Sequence, residues 1–261
     1  MKIRLADIEV DYRTAGAGDP VIMVHGLAED AGSWADVQAR LRGFATYAYD
    51  LRGHGNTDLG QAEGTLAQLG EDLIRFLEEV TGPAACVGYS LGGTIVLWVA
   101  AERPDLVRRA AVIGTSTVVG RAAAEFFHER LALIESDSKV FAGALADDTA
   151  KQILSPDANL AEVVARRLTA VGNGGGYINA VRAMADLNAD PLTPRLAEIT
   201  CGVDVIGGSG DVFCPRKAAN IILEHLADSR YHEIAGAGHL VSIDKPVEYA
   251  DAIHSALQRS D

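Results

Sequence analysis

The chain has only three cysteines in 261 residues, Cys86, Cys201 and Cys214. An odd count without ligand-like spacing argues against a disulfide framework and against a zinc site. Cys86 reads as a small hydrophobe in a buried strand, and Cys214 is assigned a structural role. Basic charge is scarce as well. The 23 Lys and Arg stand against 36 Asp and Glu, a formal net charge of -13, and no basic cluster offers a phosphate-binding stripe, so nucleic acid is not an expected partner. The same surplus repels anions at long range, so an anionic substrate would need arginines close to it. No run approaches the roughly 18 uninterrupted apolar residues of a membrane span. Residues 1–7 lack the apolar stretch of a signal peptide. The expectation is a cytoplasmic protein with no membrane partner, and its oligomeric state is not legible.

What the chain does have is apolar residue in quantity, 48% of the total, enough to bury one large α/β core with an insertion. Residues 3–5 and 8–12 alternate apolar with polar, as half-buried antiparallel strands do, and 16–20 form a turn. Residues 21–24 read as a buried strand ending in His25-Gly26-Leu27-Ala28. A helix carrying Trp34, Val37 and Leu41 follows, then a strand at 46–49 and a helix over 65–80. Further strands are expected at 84–87 and 109–114, and this alternation means a parallel sheet with helices on both faces. From 117 to 195 the period is helical throughout, as expected of a cap that excludes water from a site. Residues 172–177 break it, as an inter-helix loop or a hinge. No strand precedes them, so they are not a dinucleotide loop. Strands return at 203–208 and 231–234, with helices at 216–226 and 246–257. The core therefore comprises 1–116 and 196–261, and the cap 117–195. Asp204 interrupts an apolar strand, and the sequence explains it no further than a hydrogen-bonding role.

Within this frame Gly88-Tyr89-Ser90-Leu91-Gly92-Gly93 sits between an apolar strand and a helix. A serine lifted above a strand end lies in a tight turn that only glycine neighbours leave room for. Alone, the pattern also arises by chance in a chain with 27 glycines. Its partners decide the matter: Asp211 and His239 stand at the ends of later strands, on the carboxyl edge where open α/β sheets bind ligands. Serine is a weak nucleophile at neutral pH and needs an imidazole to take its proton and a carboxylate to orient that imidazole. Asp50 competes for the acid's role but precedes the serine, and Asp211 is preferred.

The order nucleophile, acid, histidine resembles the α/β-hydrolase superfamily. So do five segments in sequence: Val21-Ile22-Met23-Val24-His25-Gly26-Leu27, Asp50-Leu51-Arg52-Gly53-His54-Gly55, Gly88 to Gly93, Gly207-Gly208-Ser209-Gly210-Asp211 and Gly236-Ala237-Gly238-His239. The resemblance implies an α/β-hydrolase fold, a mostly parallel twisted sheet flanked by helices with an inserted helical cap. It implies Ser90, Asp211 and His239 as the catalytic triad and the backbone N–H groups of Leu27 and Leu91 as an oxyanion hole. His25 would brace the oxyanion loop and His54 a structural turn, while surface positions suffice for His128, His225, His232 and His254. No metal or cofactor is implied.

A serine nucleophile departs from the aspartate of the superfamily's haloalkane dehalogenases and epoxide hydrolases. The segment pattern is most similar to 3-oxoadipate enol-lactonases and small carboxylesterases. The expected partner is a small ester or lactone, with Trp34, Tyr89, Arg121, Arg182 and Leu240 as candidate substrate contacts. Arg121 and Arg182 are the arginines an anionic substrate would call for. A thioester hydrolase, a C–C hydrolase and a ligand receptor on the same scaffold are the alternatives. Leu240, where many C–C hydrolases carry an aromatic residue, lowers the second, and Thr94, where menaquinone-pathway lyases place arginine, argues against that group.

Overall fold

The computed structural model describes residues 1–259. Its eight strands are β1 (Lys2–Leu5), β2 (Ile8–Gly16), β3 (Asp19–Val24), β4 (Phe44–Tyr49), β5 (Ala84–Tyr89), β6 (Val107–Ile113), β7 (Val203–Gly208) and β8 (Ser229–Ile234). They form one sheet in the order β1-β2-β4-β3-β5-β6-β7-β8. The β1–β2 and β2–β4 pairs are antiparallel and the rest parallel. The helices are α1 (Ala35–Arg40), α2 (Leu66–Phe76), α3 (Leu91–Glu102), α4 (Arg121–Ser136), α5 (Ser138–Gln152), α6 (Leu160–Val171), α7 (Gly175–Asp186), α8 (Arg216–His225), α9 (Val241–Asp244) and α10 (Pro246–Gln258).

Both faces of the sheet are covered, which explains why β3, β5 and β7 are nearly continuous apolar runs instead of alternating ones. On one face Leu69, Leu73 and Phe76 of α2 and Ile95 and Val99 of α3 join the core, and on the other Trp34, Val37, Tyr249 and Ile253 pack below β3 and β5. Helix α3 is buried around almost its whole circumference because α2 and the sheet enclose it. Trp34 and Val37 do not share one helix, as the spacing suggested. A 3₁₀ turn at Ala31–Trp34, capped by Asp30, precedes α1, and Leu41 already has extended backbone.

The anomaly at Asp204 has a physical answer. Its carboxylate, 1% exposed, takes a 2.6 Å bond from His232 on the neighbouring strand and a second contact from Arg259. It ties β7 to β8 and to the segment after α10.

The chain reverses direction of travel across the sheet at β3, going first to β4 on one side and then to β5 on the other. The carboxyl ends of β3 and β5 therefore face a crevice at the switch point, the usual place for a ligand in such sheets. Helices α4 to α7 enter between β6 and β7 and lie over that crevice. Asp137 and Asn159 cap α5 and α6, so the insertion carries its own start signals.

Candidate active site

Ser90 ends β5 and begins α3 with φ +51° and ψ −117°, a conformation that costs an L-residue of order 1–3 kcal/mol. The turn holds because Gly88 and Gly92, two positions to either side, carry no side chain. A Cβ on Gly88 would fall on the Gly92 carbonyl, and one on Gly92 would strike the carbonyls of Val24 and His25. The strain lifts the Ser90 hydroxyl out of the sheet towards His239, whose Nε2 lies 3.2 Å from Oγ.

The other ring nitrogen of His239 lies 2.8 Å from Asp211 Oδ2. Asp211 follows β7, and its second oxygen accepts the amides of Phe213 and Cys214 at 2.8 and 2.9 Å. Burial works to raise the Asp211 pKa, but the bond and charge of His239 and these two amides outweigh it, so the net shift is downward. An ionised Asp211 therefore faces the imidazole N–H and fixes one tautomer. The rings of Tyr89 and Phe213 lie 5.3 and 5.6 Å from that of His239 and confine it. Tyr89 also donates its hydroxyl to the His239 carbonyl at 3.1 Å.

The loop after β3 runs beside the serine. His25 is fully buried and braces it: its Nδ1–H donates to the Gly26 carbonyl at 2.8 Å, and Nε2 accepts the Leu51 amide at 2.9 Å. Burial pulls its pKa down to about 4, so it is neutral and both nitrogens are spent. Asp50, the rival acid, is likewise occupied with the amides of Ala31 and Asn56 at 2.7 and 2.8 Å, far from any proton-transfer role. Ala28 carries φ +60°, so this loop is strained too. Leu27 and Leu91 both line the cavity. As the first residue of α3, Leu91 has no intrahelical acceptor for its N–H.

The cavity above Ser90 measures about 690 Å³ and is lined by Leu27, Phe126, Leu145, Arg167, Tyr177 and Phe213 among others. Of the five candidate substrate contacts, Tyr89 alone lines it. Arg121 is 91% exposed and faces Glu125 along α4. Arg182 forms a half-exposed pair with Glu135. Both point away because solvated ion pairs lie on the outer side of the insertion. Trp34 is buried against Tyr249, and Leu240 opens onto a second cavity of about 470 Å³.

Sequence reading missed three residues. Arg167 of α6 lines both cavities. Gln152, at the end of α5, accepts the Leu240 amide on its carbonyl at 3.0 Å, next to His239. Asp244 takes the amides of Leu154 and Ser155 on one oxygen (2.9 and 2.7 Å) and that of Gly238 on the other (2.7 Å). It fastens the loop between α5 and α6 to the histidine loop. An acidic residue five positions after the histidine was the available signal, and its target amides were not foreseeable.

Among the described residues, no group of three or more His, Cys, Asp or Glu could hold a metal ion, and no helix is long and apolar enough to cross a membrane.

The family described as alpha/beta hydrolase fold matches residues 19–246. A pimeloyl-(acyl-carrier protein) methyl ester esterase of Chromobacterium violaceum is 27% identical over 94% of this chain and 96% of its own. An (E)-2-((N-methylformamido)methylene)succinate hydrolase of Acinetobacter baylyi is 24% identical over 95% of this chain and 93% of its own. Among solved structures, an enol-lactonase from Burkholderia xenovorans superposes with a TM-score of 0.88 at 23% identity, covering 99% of this chain and 100% of the other.

Proposed function

The chain belongs to the alpha/beta hydrolase family, and from that premise we propose that it is a serine hydrolase of small carboxylic esters or lactones, acting through an acyl-enzyme. The observation that carries this reading is the continuous relay from Ser90 Oγ through His239 to Asp211, at 3.2 and 2.8 Å, opening on a cavity lined by the inserted helices. A relative named as a methyl ester esterase fits this class, and one named as the hydrolase of a substituted succinate fits hydrolysis more broadly.

In the reaction His239 Nε2 takes the Ser90 proton as Oγ attacks the substrate carbonyl. Asp211 stabilises the imidazolium that forms. The Leu27 and Leu91 amides receive the oxyanion, each worth roughly 3–4 kcal/mol to the transition state. His239 then passes the proton to the leaving oxygen, and water deacylates the serine by the same route in reverse. Residues 117–195 act as a cap over the reaction, and Phe126, Phe127 and Phe213 shape an apolar wall for a compact acyl group. Relay and cavity together favour turnover over a receptor role, because a packed scaffold has no need of an aligned nucleophile and base.

The test is covalent. A fluorophosphonate probe is expected to label the protein at one site, and peptide mapping should find the adduct on Ser90. With a p-nitrophenyl ester, rapid mixing should then give a burst of nitrophenol close to one equivalent of enzyme. Labelling elsewhere, or none, would sink this reading.

A further inference from the structure

The cavity above Ser90 has a charge opposite to that of the chain. The whole protein carries a formal -13, yet the charged side chains that line this space are Asp148, Arg167 and Lys217, beside the catalytic His239. Asp148 is neutralised by a two-point pair with Arg130 at 2.6 and 2.8 Å. Arg167 and Lys217 remain, and among the described residues neither has a carboxylate within 4 Å.

Arg167 is the deeper of the two, at 8% exposure. Its guanidinium donates to neutral acceptors: Thr149 Oγ1 at 2.9 Å, Gln152 Oε1 at 2.7 Å and the Leu27 carbonyl at 3.3 Å. Its Nε finds no partner. Buried Arg52, by contrast, is held by the carboxylates of Asp72 and Asp7, and Arg259 by those of Asp204 and Asp228. Glu29 acts on Arg167 from the side of the second cavity and does not line the catalytic one. Arg167 thus feels Glu29 only through space and has no carboxylate in contact, an arrangement that is costly to bury and that breaks a packing rule of the kind natural proteins break at functional sites.

We propose that Arg167 is a carboxylate-binding subsite, and that the substrate is an ester or lactone carrying a free carboxylate in its acyl part. This rests on the serine-hydrolase reading. Nε–H, which has no partner, lies beside Nη2 on one edge of the planar guanidinium, the pair of donors that can grip a carboxylate at two points. Lys217 at the exposed rim draws the anion in against the repulsion of the surface. A neutral ester would leave the fork empty and lose the discrimination that an unpaired buried group enforces.

The test compares two esters of equal acyl length, mono-p-nitrophenyl glutarate and p-nitrophenyl valerate, on wild type, Arg167→Met and Arg167→Lys. Hydrogen bonds to a charged group are worth about 1.5–3 kcal/mol, so kcat/KM for the half-ester should fall roughly 10- to 100-fold in Arg167→Met, with a much smaller loss on the valerate. Arg167→Lys should lie between. Equal losses on both esters would make Arg167 a support for Leu27 alone and overturn the proposal, as would a wild type that prefers the valerate. Calorimetric titration with glutarate gives a second reading independent of turnover: binding should weaken at least about tenfold in Arg167→Met, and unchanged or absent binding overturns the subsite. Glutarate bound through Arg167 with no fluorophosphonate labelling of Ser90 would instead sink the hydrolase reading and leave the subsite standing.

Discussion

The strand-end loops and the inserted helices face each other across one cavity, and each buries an arginine by a different rule. Below, Arg52 is locked between Asp72 and Asp7, with two further bonds to the carbonyls of Leu59 and Gln61. Above, Arg167 touches neutral acceptors and keeps a donor unspent. At His25 and Asp50 the loops give both polar ends of a buried side chain a partner, while His54 keeps one nitrogen without any. The insertion leaves groups open towards the cavity. The arginine of the loops is closed by anions, and that of the insertion is not.

The largest expected effect lies on the side of the loops. Ser90→Ala should lower kcat by about 10⁶ while the melting temperature stays level or rises, because alanine removes the nucleophile and keeps the packing. A residual rate within tenfold of wild type would break the division at its centre. Next comes Arg52→Met, expected to cost about 3–5 kcal/mol of stability by stranding buried Asp72, read by urea titration. Specific activity per folded molecule should hold. If activity per folded molecule collapses too, the loops are not merely scaffold.

The third effect is set by pH. Burial holds the pKa of His25 at about 4 and that of His54 at about 3, against about 6.5 in the unfolded chain. Between pH 6.5 and 4 the unfolded chain binds protons that the folded loops refuse, so stability falls as pH falls through that window. At pH 5 each histidine should cost about 2 kcal/mol relative to pH 7. His25→Gln should remove its share of the slope and leave that of His54, and an unaltered slope would show that His25 carries none of the acid sensitivity. The smallest effects belong to the outer face of the helices. Arg121→Ala and Arg182→Ala should each change stability by less than about 0.5 kcal/mol and leave kcat/KM on both esters as it is. A loss there would erase the contrast between the open inner face and the solvated outer one.

The same division explains what could be read from the residues alone. Strand runs, glycine turns and the sequential order of Ser90, Asp211 and His239 were legible, because local geometry forces those residue types. A strained serine between β5 and α3 tolerates only glycine around it, and that leaves a mark in the sequence. The insertion leaves no such mark. Arg166 and Arg167 are neighbours on α6, yet one pairs with Glu162 in solvent and the other is buried at the catalytic cavity. Helical period gives the apolar stripe of α6 but not the angle at which the helix docks. For that reason the sequence points to Arg121 and Arg182 and passes over Arg167, whereas docking turns the first two outward. Asp204 was opaque for a related cause, since its partners His232 and Arg259 arrive from later in the chain.

The fastening at Asp244 also bears on motion. One carboxylate holds both the loop between α5 and α6 and the backbone just before His239. On that flank the helices cannot lift without pulling on the backbone that carries His239, the imidazole that faces the Ser90 hydroxyl. The opposite flank is fastened by a different force: exposed Val212 and Lys217 border the cavity there, and the contact across it is apolar, the rings of Phe126 and Phe213 at 6.3 Å.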